Sequence, residues 1–387
     1  MNHHYYEYKE ALKSVPQPSL FLDLNAFYKN LTWVISNSGN KKIRVATKSI
    51  RSQEVLKRIF AANTCFQGLM TYTLEESLWL RTQGFDDILM GYPTTDQFSL
   101  EELAKKPQGI VLMVDRIEHL DMLEAIAKKH HSKFEICVDL DLSMDLPGVR
   151  FGVYRSAIHQ EKHLRTFLKH LSKCHHLSLV GAMGYEAQIA GVMDEKSSVM
   201  KVLKTLSLTQ LKLRRQKMID IILNEGLTLR IINGGGTGSL KHTTTENCVN
   251  EVTIGSAFFA PVLFDHYQDF KLTPALFFTS SVVRQPEKDI FTILGGGLIA
   301  SGATDEIKQP QPYLPLGLSL LKNEGAGEVQ TPLKYTGDIP LKIGDLIILR
   351  HAKAGEVCER FNQIHFVDGK KIVDSFPTYR GEGKSFL

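Results

Sequence analysis

A lysine at the tip of an apolar strand is the residue of this sequence with the clearest chemical potential. The stretch "KKIRVATKSIRS", residues 41–52, is typical of a short buried strand that ends at Lys48 and carries Arg44 within it. An amine in an apolar site beside a cationic group loses its proton more easily, as a lysine that forms a Schiff base requires. The pattern predicts a reactive amine. The alternative is a lysine that merely extends from an apolar wall into solvent.

Two glycine-containing segments could bind an anion. The run "NGGGTGS" at 233–239 follows an apolar strand, and its glycines allow backbone N–H groups to approach a phosphate, with Thr237 or Ser239 adding a hydroxyl. Gly255 and Ser256 end another strand. The spacing is neither that of a Walker loop nor that of a dinucleotide fingerprint, and a flexible turn is the alternative. Together the two segments predict a phosphate cradle.

Strands and helices alternate over the first two thirds of the chain. Apolar runs such as "IRVATK", "GIVLMVD" and "LSLVGAMGY" are separated by segments such as "SQEVLKRIFAA", in which apolar residues have helical spacing. This alternation predicts parallel strands with right-handed crossovers. Eight such units lie between residues 43 and 256, after a leading strand "SLFLDL", which is enough for a (β/α)8 TIM-type barrel. A doubly wound open sheet is the alternative, because periodicity does not distinguish the two.

The pattern of the chain changes after about residue 270. Short alternating strands such as "DIFTILGGG", "DLIILRHA" and "KIVDSF", among Pro- and Gly-rich segments, predict an all-β C-terminal domain. We expect an N-terminal extension at 1–18, a barrel with its leading strand at 19–268, and the β domain at 269–387.

Reactive residues in a parallel barrel collect at the C-terminal ends of the strands. Lys48, Arg150, Tyr185 and both parts of the cradle fall at such predicted ends. An amine on one wall and a phosphate cradle on the other suit an aldehyde that carries a phosphate. Pyridoxal 5'-phosphate has both groups, and we expect it as the cofactor.

Composition is typical of a soluble globular protein. Of the 387 residues, 43% are hydrophobic and 23% charged, and the 46 basic and 42 acidic residues are spread along the chain. No basic block predicts binding to nucleic acid or to a membrane. Five scattered cysteines argue against a disulfide framework, and the sequence shows neither a leader-like segment nor a membrane-spanning apolar run. A cytoplasmic protein is expected.

The ordered set of motifs resembles the fold-type III pyridoxal-phosphate enzymes, and within them the D-threonine aldolase and D-serine dehydratase-like group. "RVATKSIRS" is similar to the cofactor-lysine strand of this group, which implies that Lys48 carries the cofactor. The resemblance also implies an alanine racemase-like fold. "INGGGTGS" and "EVTIGS" are similar to the group's two-part phosphate site, which here comprises Gly235, Gly236, Thr237, Gly255 and Ser256.

Two further segments imply contacts with the cofactor ring. "VDLDLSMDLPGVRFGV" resembles the strand and loop whose arginine, here Arg150, lies near the phenolic oxygen of the cofactor. "GAMGYEAQIAG" matches the segment whose tyrosine, here Tyr185, lines the pyridine ring. The group's commoner Tyr-x-Gly-His pattern ends here in Gln188, which we include among the cofactor-binding residues.

The segment "IGDLIILRHAKAGEVCERFN" resembles the group's metal segment, whose usual form is Pro-x-His-x-Cys or Pro-x-His-x-Asp. Cys358 and Asn362 keep the group's spacing, but Glu356 stands two residues before the cysteine and the nearby upstream histidine is His351. Thiolate and imidazole suit zinc, so His351 and Cys358 are the predicted ligands of Zn²⁺ or another divalent metal. Two ordinary loop side chains are the alternative.

The resemblance implies a lyase that acts on small D-amino acids with a 3-hydroxyl group. The cofactor serves as an electron sink, and the protein decides which bond breaks. Loss of the hydroxyl leads to a keto acid and ammonia, whereas retro-aldol cleavage gives glycine and an aldehyde. Both routes are aided by a Lewis acid beside the hydroxyl. The sequence leaves the choice between them open.

Two other functions share the lysine and the cradle. An amino acid racemase needs a second base on the opposite face of the cofactor, for which Tyr335 and Tyr379 are candidates by residue type alone. A protein that binds the cofactor without turnover is the non-enzymatic alternative, although small barrel relatives of that kind have no C-terminal β domain. Enzymes of the group form their site at a dimer interface, so the resemblance implies a homodimer.

Overall fold

The structure is a computed structural model that describes residues 2–146, 149–190, 198–303 and 305–387. Positions 147, 148 and 191 of the motifs quoted above lie outside these ranges. The strands are β1 (Ser19–Asp23), β2 (Lys42–Ala46), β3 (Phe66–Thr71), β4 (Ile88–Met90), β5 (Ile110–Val114), β6 (Phe134–Asp139), β7 (Met144–Leu146), β8 (Val149–Phe151), β9 (Leu177–Gly184), β10 (Ile231–Gly234), β11 (Glu251–Ile254), β12 (Leu276–Glu287), β13 (Ile290–Leu294), β14 (Gln311–Leu314), β15 (Leu318–Leu320), β16 (Gln330–Tyr335), β17 (Leu346–Arg350), β18 (Gln363–Asp368) and β19 (Lys371–Pro377).

Helices connect the strands of the barrel. The α-helices are α1 (Asn2–Ala11), α2 (Leu24–Asn37), α3 (Gln53–Ala62), α4 (Leu74–Thr82), α5 (Gln97–Lys105), α6 (Ile117–Lys129), α7 (Glu161–Leu171), α8 (Ala187–Ala190), α9 (Ser198–Asn224) and α10 (Leu240–Thr243). Short 3₁₀ turns span Thr47–Ser49, Thr237–Ser239, Ser256–Phe258, Val262–His266, Glu306–Lys308, Glu356–Arg360 and Arg380–Glu382. No described helix is both long enough and apolar enough to cross a membrane.

Eight parallel strands close into a barrel, in the order β2, β3, β4, β5, β6, β9, β10, β11. The ring closes where β11 pairs with β2, with Thr253 opposite Arg44. The predicted (β/α)8 barrel is therefore confirmed, and the open sheet is excluded because β2 and β11 have each other as neighbours. The alternation is interrupted once, by the small hairpin β7–β8 after β6, which the apolar pattern did not predict.

The interior of the barrel has a polar layer near the N-terminal ends of its strands. Arg44 is buried, and its Nε donates to Glu251 Oε1 at 2.7 Å while its Nη2 lies 3.0 Å from Asp87 Oδ1. Glu251 is the first residue of β11 and Asp87 precedes β4, so this ion pair is at the opposite end of the barrel from Lys48. Two carboxylates balance the Arg44 charge, and the expectation that Arg44 acts on Lys48 is not met.

The strand predicted to lead the barrel belongs to the second sheet. β1 is antiparallel to β12 and parallel to β18, with Phe21 opposite both Phe277 and His365. Phe21 and Phe277 stack with ring centroids 5.2 Å apart in a small core that also buries Tyr8 of α1. Residues 19–23 are therefore placed by aromatic packing in the nine-stranded C-terminal sheet, which differs from the predicted unit at 19–268. The domain boundaries themselves stay predictions.

Candidate active site

A cavity of about 740 Å³ lies at the C-terminal ends of the barrel strands. Its inner wall is built by residues at or just after the C-terminal ends of all eight barrel strands, and its outer wall includes residues of the C-terminal sheet domain. The principal inner residues are Lys48, Tyr92, Asp139, Tyr185, Gly235 and Gly255. The principal outer residues are Lys308, Lys353 and Glu356.

Lys48 projects into this cavity. It lies in the 3₁₀ turn that follows β2, and this turn is tied to the next strand because Thr47 Oγ1 donates to the carbonyl of Met70 at 3.1 Å. The Lys48 Nζ donates to Tyr92 Oη at 2.6 Å and lies 5.3 Å from the centroid of that ring. Sequence analysis missed Tyr92, although the run "DILMGY" ends at it and the rule of strand ends could have found it.

The two glycine positions of the cradle have no room for a side chain. Gly235 has a φ of +86°, and a Cβ there would overlap Cγ1 of Val252. A Cβ on Gly255 would come within 2.8 Å of Ser49 Cβ. Packing against neighbouring side chains therefore requires glycine at both positions.

Hydroxyl groups connect the cradle to the lysine segment. Thr237 Oγ1 accepts from the backbone N–H of Ala257 at 3.1 Å, which joins the loop after β10 to the turn after β11. Ser256 Oγ is 3.2 Å from Ser49 Oγ, next to Lys48 in sequence. Because β10, β11 and β2 are neighbours in the barrel, the predicted phosphate residues and the predicted lysine share one cavity wall.

A buried ion-pair network supports the cradle from behind. Glu186 Oε2 accepts from the backbone N–H of Gly235 at 2.6 Å, and its other oxygen is paired with Arg215. Arg215 Nη1 also lies 2.6 Å from Glu246 Oε2. All three side chains are buried. The network fixes the conformation of the first glycine of the loop, and nothing in the sequence signalled it because its members are far apart along the chain.

Tyr185 and an arginine form a side wall. Burial raises the pKa of Tyr185 to about 12, so its hydroxyl stays protonated. The guanidinium of Arg155 lies 5.6 Å from the centroid of the Tyr185 ring, and both residues line the cavity. Arg155 was missed by sequence analysis, which selected Arg150 from the same segment.

Two residues predicted to bind the cofactor, Arg150 and Gln188, do not line the cavity. Arg150 lies in β8 and pairs with Asp141. Its guanidinium lies 4.9 Å from the centroid of the Tyr154 ring, and it is not among the residues that line the cavity. Gln188 is buried and donates to the carbonyl of Leu142 at 2.8 Å, so it supports the loop after β6 instead of contacting the cavity. Arg150 belongs to the hairpin β7–β8, where it pairs with the lining residue Asp141, whereas Arg155 after the hairpin lines the cavity itself.

A carboxyl pair lies on the inner wall. Burial raises the pKa of Asp139 to about 7, and the nearby charge of Asp115 adds to the effect. Asp115 is the more strongly bound of the two, because it accepts from the backbone N–H of Ala157 at 3.1 Å and lies 3.1 Å from His119 Nδ1. Asp139 can therefore hold a proton near neutral pH and give it to a bound molecule.

The predicted metal ligands do not reach the cavity. His351 is buried with its Nδ1 3.0 Å from the carbonyl of Leu276, and burial lowers its pKa to about 3. Cys358 is buried in the core, where burial raises the pKa of its thiol to about 12. Glu356 lines the cavity, but its carboxylate already accepts hydrogen bonds from the backbone N–H of Ser301 at 2.8 Å and from the Ser301 hydroxyl at 2.6 Å. Within the described ranges, no three or more His, Cys, Asp or Glu side chains could hold a metal ion.

The amine and the cradle fit pyridoxal phosphate. Lys48 and the segments of Gly235 and Gly255 line one cavity, which is large enough for a cofactor and a small substrate. The residues present can bind a phosphate, hold an aldehyde carbon at Lys48 and move a proton at Lys48 or Asp139. The residues do not fit a metal ion bound by His351 and Cys358.

Known proteins resemble the chain in sequence and in three-dimensional structure. A 3-hydroxy-D-aspartate aldolase of Paracoccus denitrificans is 22% identical over 249 residues, which cover 62% of this chain and 60% of that protein. The structure of D-threonine aldolase from Filomicrobium marinum superposes with a TM-score of 0.78 at 19% identity, over 95% of this chain and 96% of the other. D-threo-3-hydroxyaspartate dehydratase from Delftia sp. HT23 gives a TM-score of 0.77 at 16% identity, over 95% and 98% of the chains.

A family model identifies the larger part of the chain. Residues 22–260 match the alanine racemase N-terminal domain, and this range contains the barrel, Lys48 and both halves of the cradle. The chain therefore belongs to the alanine racemase N-terminal domain family, that is, to the fold-type III pyridoxal-phosphate proteins.

Proposed function

We propose that this chain is a pyridoxal-phosphate-dependent lyase for D-amino acids that carry a 3-hydroxyl group. The reaction is either dehydration to a keto acid and ammonia or retro-aldol cleavage to glycine and an aldehyde. The observation that carries the proposal is the Lys48 amine on the same cavity wall as the cradle of Gly235 and Gly255. The similar proteins are named as two aldolases and a dehydratase of D-3-hydroxy amino acids, which supports the lyase class.

Each wall of the cavity has a role in this proposal. Lys48 and the cradle would hold the cofactor by its aldehyde and its phosphate, and the bound cofactor supplies an electron sink for the bonds at Cα. Tyr92 orients the Lys48 amine, which then takes or returns a proton at Cα. Arg155 and Tyr185 close the side of the cavity, where a guanidinium and a protonated phenol can donate hydrogen bonds.

The two tyrosines that could serve as the second base of a racemase are held by contacts within the chain. Tyr335 Oη donates to the carbonyl of Ile339 at 2.8 Å and accepts from its N–H at 3.0 Å. Tyr379 is fully buried, edge-on to Trp79 with ring centroids 4.9 Å apart. Both phenols are held inside their own chain. A racemase would need one of them free to reach a second cofactor face, and so these contacts favour the lyase.

The quaternary structure and the location are also part of the proposal. We infer a homodimer from the resemblance to enzymes whose β domain closes the barrel mouth of a partner, and light scattering after gel filtration tests it. All five cysteines are free thiols, which supports a reducing compartment such as the cytoplasm.

The test is a product assay on purified protein loaded with pyridoxal phosphate. D-Serine, D-threonine and D-3-hydroxyaspartate are supplied, and ammonia, keto acid, glycine and aldehyde are measured. Formation of ammonia with keto acid identifies the dehydratase, and glycine with aldehyde identifies the aldolase. Racemisation of an amino acid without any of these products contradicts the proposal. Full loading without turnover of any D-amino acid favours the binding protein.

A further inference from the structure

An ammonium group is fixed on the outer wall of the cavity. Lys353 Nζ lies 2.9 Å from Glu356 Oε1 and donates to Ser301 Oγ at 2.7 Å. Ser301 in turn donates to both oxygens of Glu356. Burial alone would raise the pKa of Glu356, but these hydrogen bonds outweigh it and keep the pKa below its usual value. The carboxylate is ionised and holds the ammonium in place.

This group belongs to a segment that packs on the reactive lysine. Gly355, between Lys353 and Glu356, has a φ of +88°, and a Cβ there would overlap the carbonyl oxygen of Lys48. Lys353, Ala354 and Glu356 all line the cavity. The segment that carries Lys353 therefore packs on the backbone of Lys48, and both lysines line the same cavity.

The same segment does not offer a metal ion a set of ligands. The Cys358 thiol is buried in the core. His351 has Nδ1 at the Leu276 carbonyl and a buried Nε2 without a partner, but among the described residues no group of three His, Cys, Asp or Glu side chains could hold a metal ion with it. Glu356 could contribute an oxygen, but its carboxylate already binds Ser301 and the Lys353 ammonium. In the pattern His-x-Cys, the cysteine that binds the metal stands two positions after the histidine. Two positions after His351, this chain has Lys353, whose positive charge opposes the binding of a metal ion.

We propose that the Lys353 ammonium donates a hydrogen bond to the β-oxygen of the substrate, and that turnover requires no divalent metal. The hydrogen bond stabilises negative charge on that oxygen when the Cβ–O or the Cα–Cβ bond breaks. Glu356 and Ser301 are positioning residues that aim the ammonium. The inference rests on the proposed lyase function.

The first test measures metal directly. Holoenzyme purified without added metal is treated with a chelator and passed through gel filtration, and bound Zn²⁺, Mn²⁺ and Mg²⁺ are quantified by mass spectrometry. We expect far less than one ion per chain and unchanged turnover. One tightly bound ion per chain whose removal abolishes lyase turnover would overturn the inference while leaving the proposed function intact. Absence of any lyase turnover in the untreated enzyme would instead overturn the proposed function.

The second test uses Lys353→Met, Lys353→Arg and, as a matched control outside the cavity, the exposed Lys342→Met. Lys353→Met should lower kcat on the hydroxy substrate by at least about tenfold, and Lys353→Arg should recover part of the loss. Binding of D-alanine, which has no β-oxygen, is followed by the cofactor absorbance and should not change. A kcat of Lys353→Met equal to that of Lys342→Met, or an equal loss in D-alanine binding, would show that Lys353 has no role at the β-oxygen.

Discussion

The α-carbon of Gly355 lies against the backbone carbonyl of Lys48. A Cβ at this position would overlap that oxygen and come within 2.8 Å of Ser49 Cα. The contact joins the segment after β17, in the C-terminal sheet, to the turn after β2, in the barrel. The Lys48 turn and the outer wall thus meet in a backbone-to-backbone contact that leaves no space for a side chain at residue 355.

Gly355→Ala should separate these two segments. We expect a loss of about 2–4 kcal/mol in the free energy of unfolding, together with weaker cofactor binding, because the Lys48 turn must move. Gly344→Ala is the matched control, since its φ of +91° is almost the same but nothing lies within 4 Å of its Cβ. The control should lose only about 1 kcal/mol for the backbone conformation. Urea denaturation and cofactor titration measure both effects, and equal losses in the two variants would contradict the predicted overlap.

Lys48→Ala should abolish the visible absorbance of the covalently held cofactor. The side chain extends into open cavity space and its contact is with Tyr92, so the variant should fold normally by circular dichroism. The phosphate cradle is untouched, and residual non-covalent binding of the cofactor is expected. A visible band that survives in Lys48→Ala with the spectrum of the wild type would show that another amine holds the cofactor.

Arg155→Met and Arg150→Met should have different effects. Arg155 lines the cavity, so its loss should weaken cofactor binding by about tenfold. Arg150 does not itself line the cavity and pairs with the buried Asp141, so its loss should cost about 1–3 kcal/mol of stability and change cofactor affinity less than the loss of Arg155 does. Cofactor titration and thermal unfolding of both variants measure this. The opposite result would restore Arg150 as the cofactor contact.

The stability of the protein without cofactor should depend on Asp139 between about pH 4 and pH 7. The pKa of this carboxyl is about 7 in the folded chain and 3.8 in the unfolded one, so the folded state binds more protons in that window. Folding stability therefore falls as pH rises through the window and is level above it. Asp139→Asn removes the effect, and the difference between wild type and variant should change by about 2 kcal/mol from pH 5 to pH 8. Urea denaturation at both pH values checks this, and parallel pH profiles would contradict it.

Local sequence patterns were sufficient for the barrel and for the inner wall of the site. Each strand of the barrel carries its own apolar run, and the chemistry at its end follows directly in sequence, as with Lys48 after β2 or Gly255 after β11. Parallel strands place all these ends at one rim, so local patterns bring distant residues together without knowledge of the packing. Tyr92 and Asp139 were open to the same reasoning, because they also lie at strand ends.

Tertiary structure decided what the side chains beyond the strand ends do. His351 and Cys358 are buried and do not reach the cavity. The spacing of residues in the sequence does not indicate which side chains the assembled core will bury. The Lys353 ammonium is held by Ser301, which is 52 residues away in sequence. The sequence by itself determined which residues stand at the barrel rim, since the strands and their ends follow from local periodicity. Only the folded chain decided that Lys353 lines the same cavity, because that depends on long-range packing between the sheet domain and the barrel.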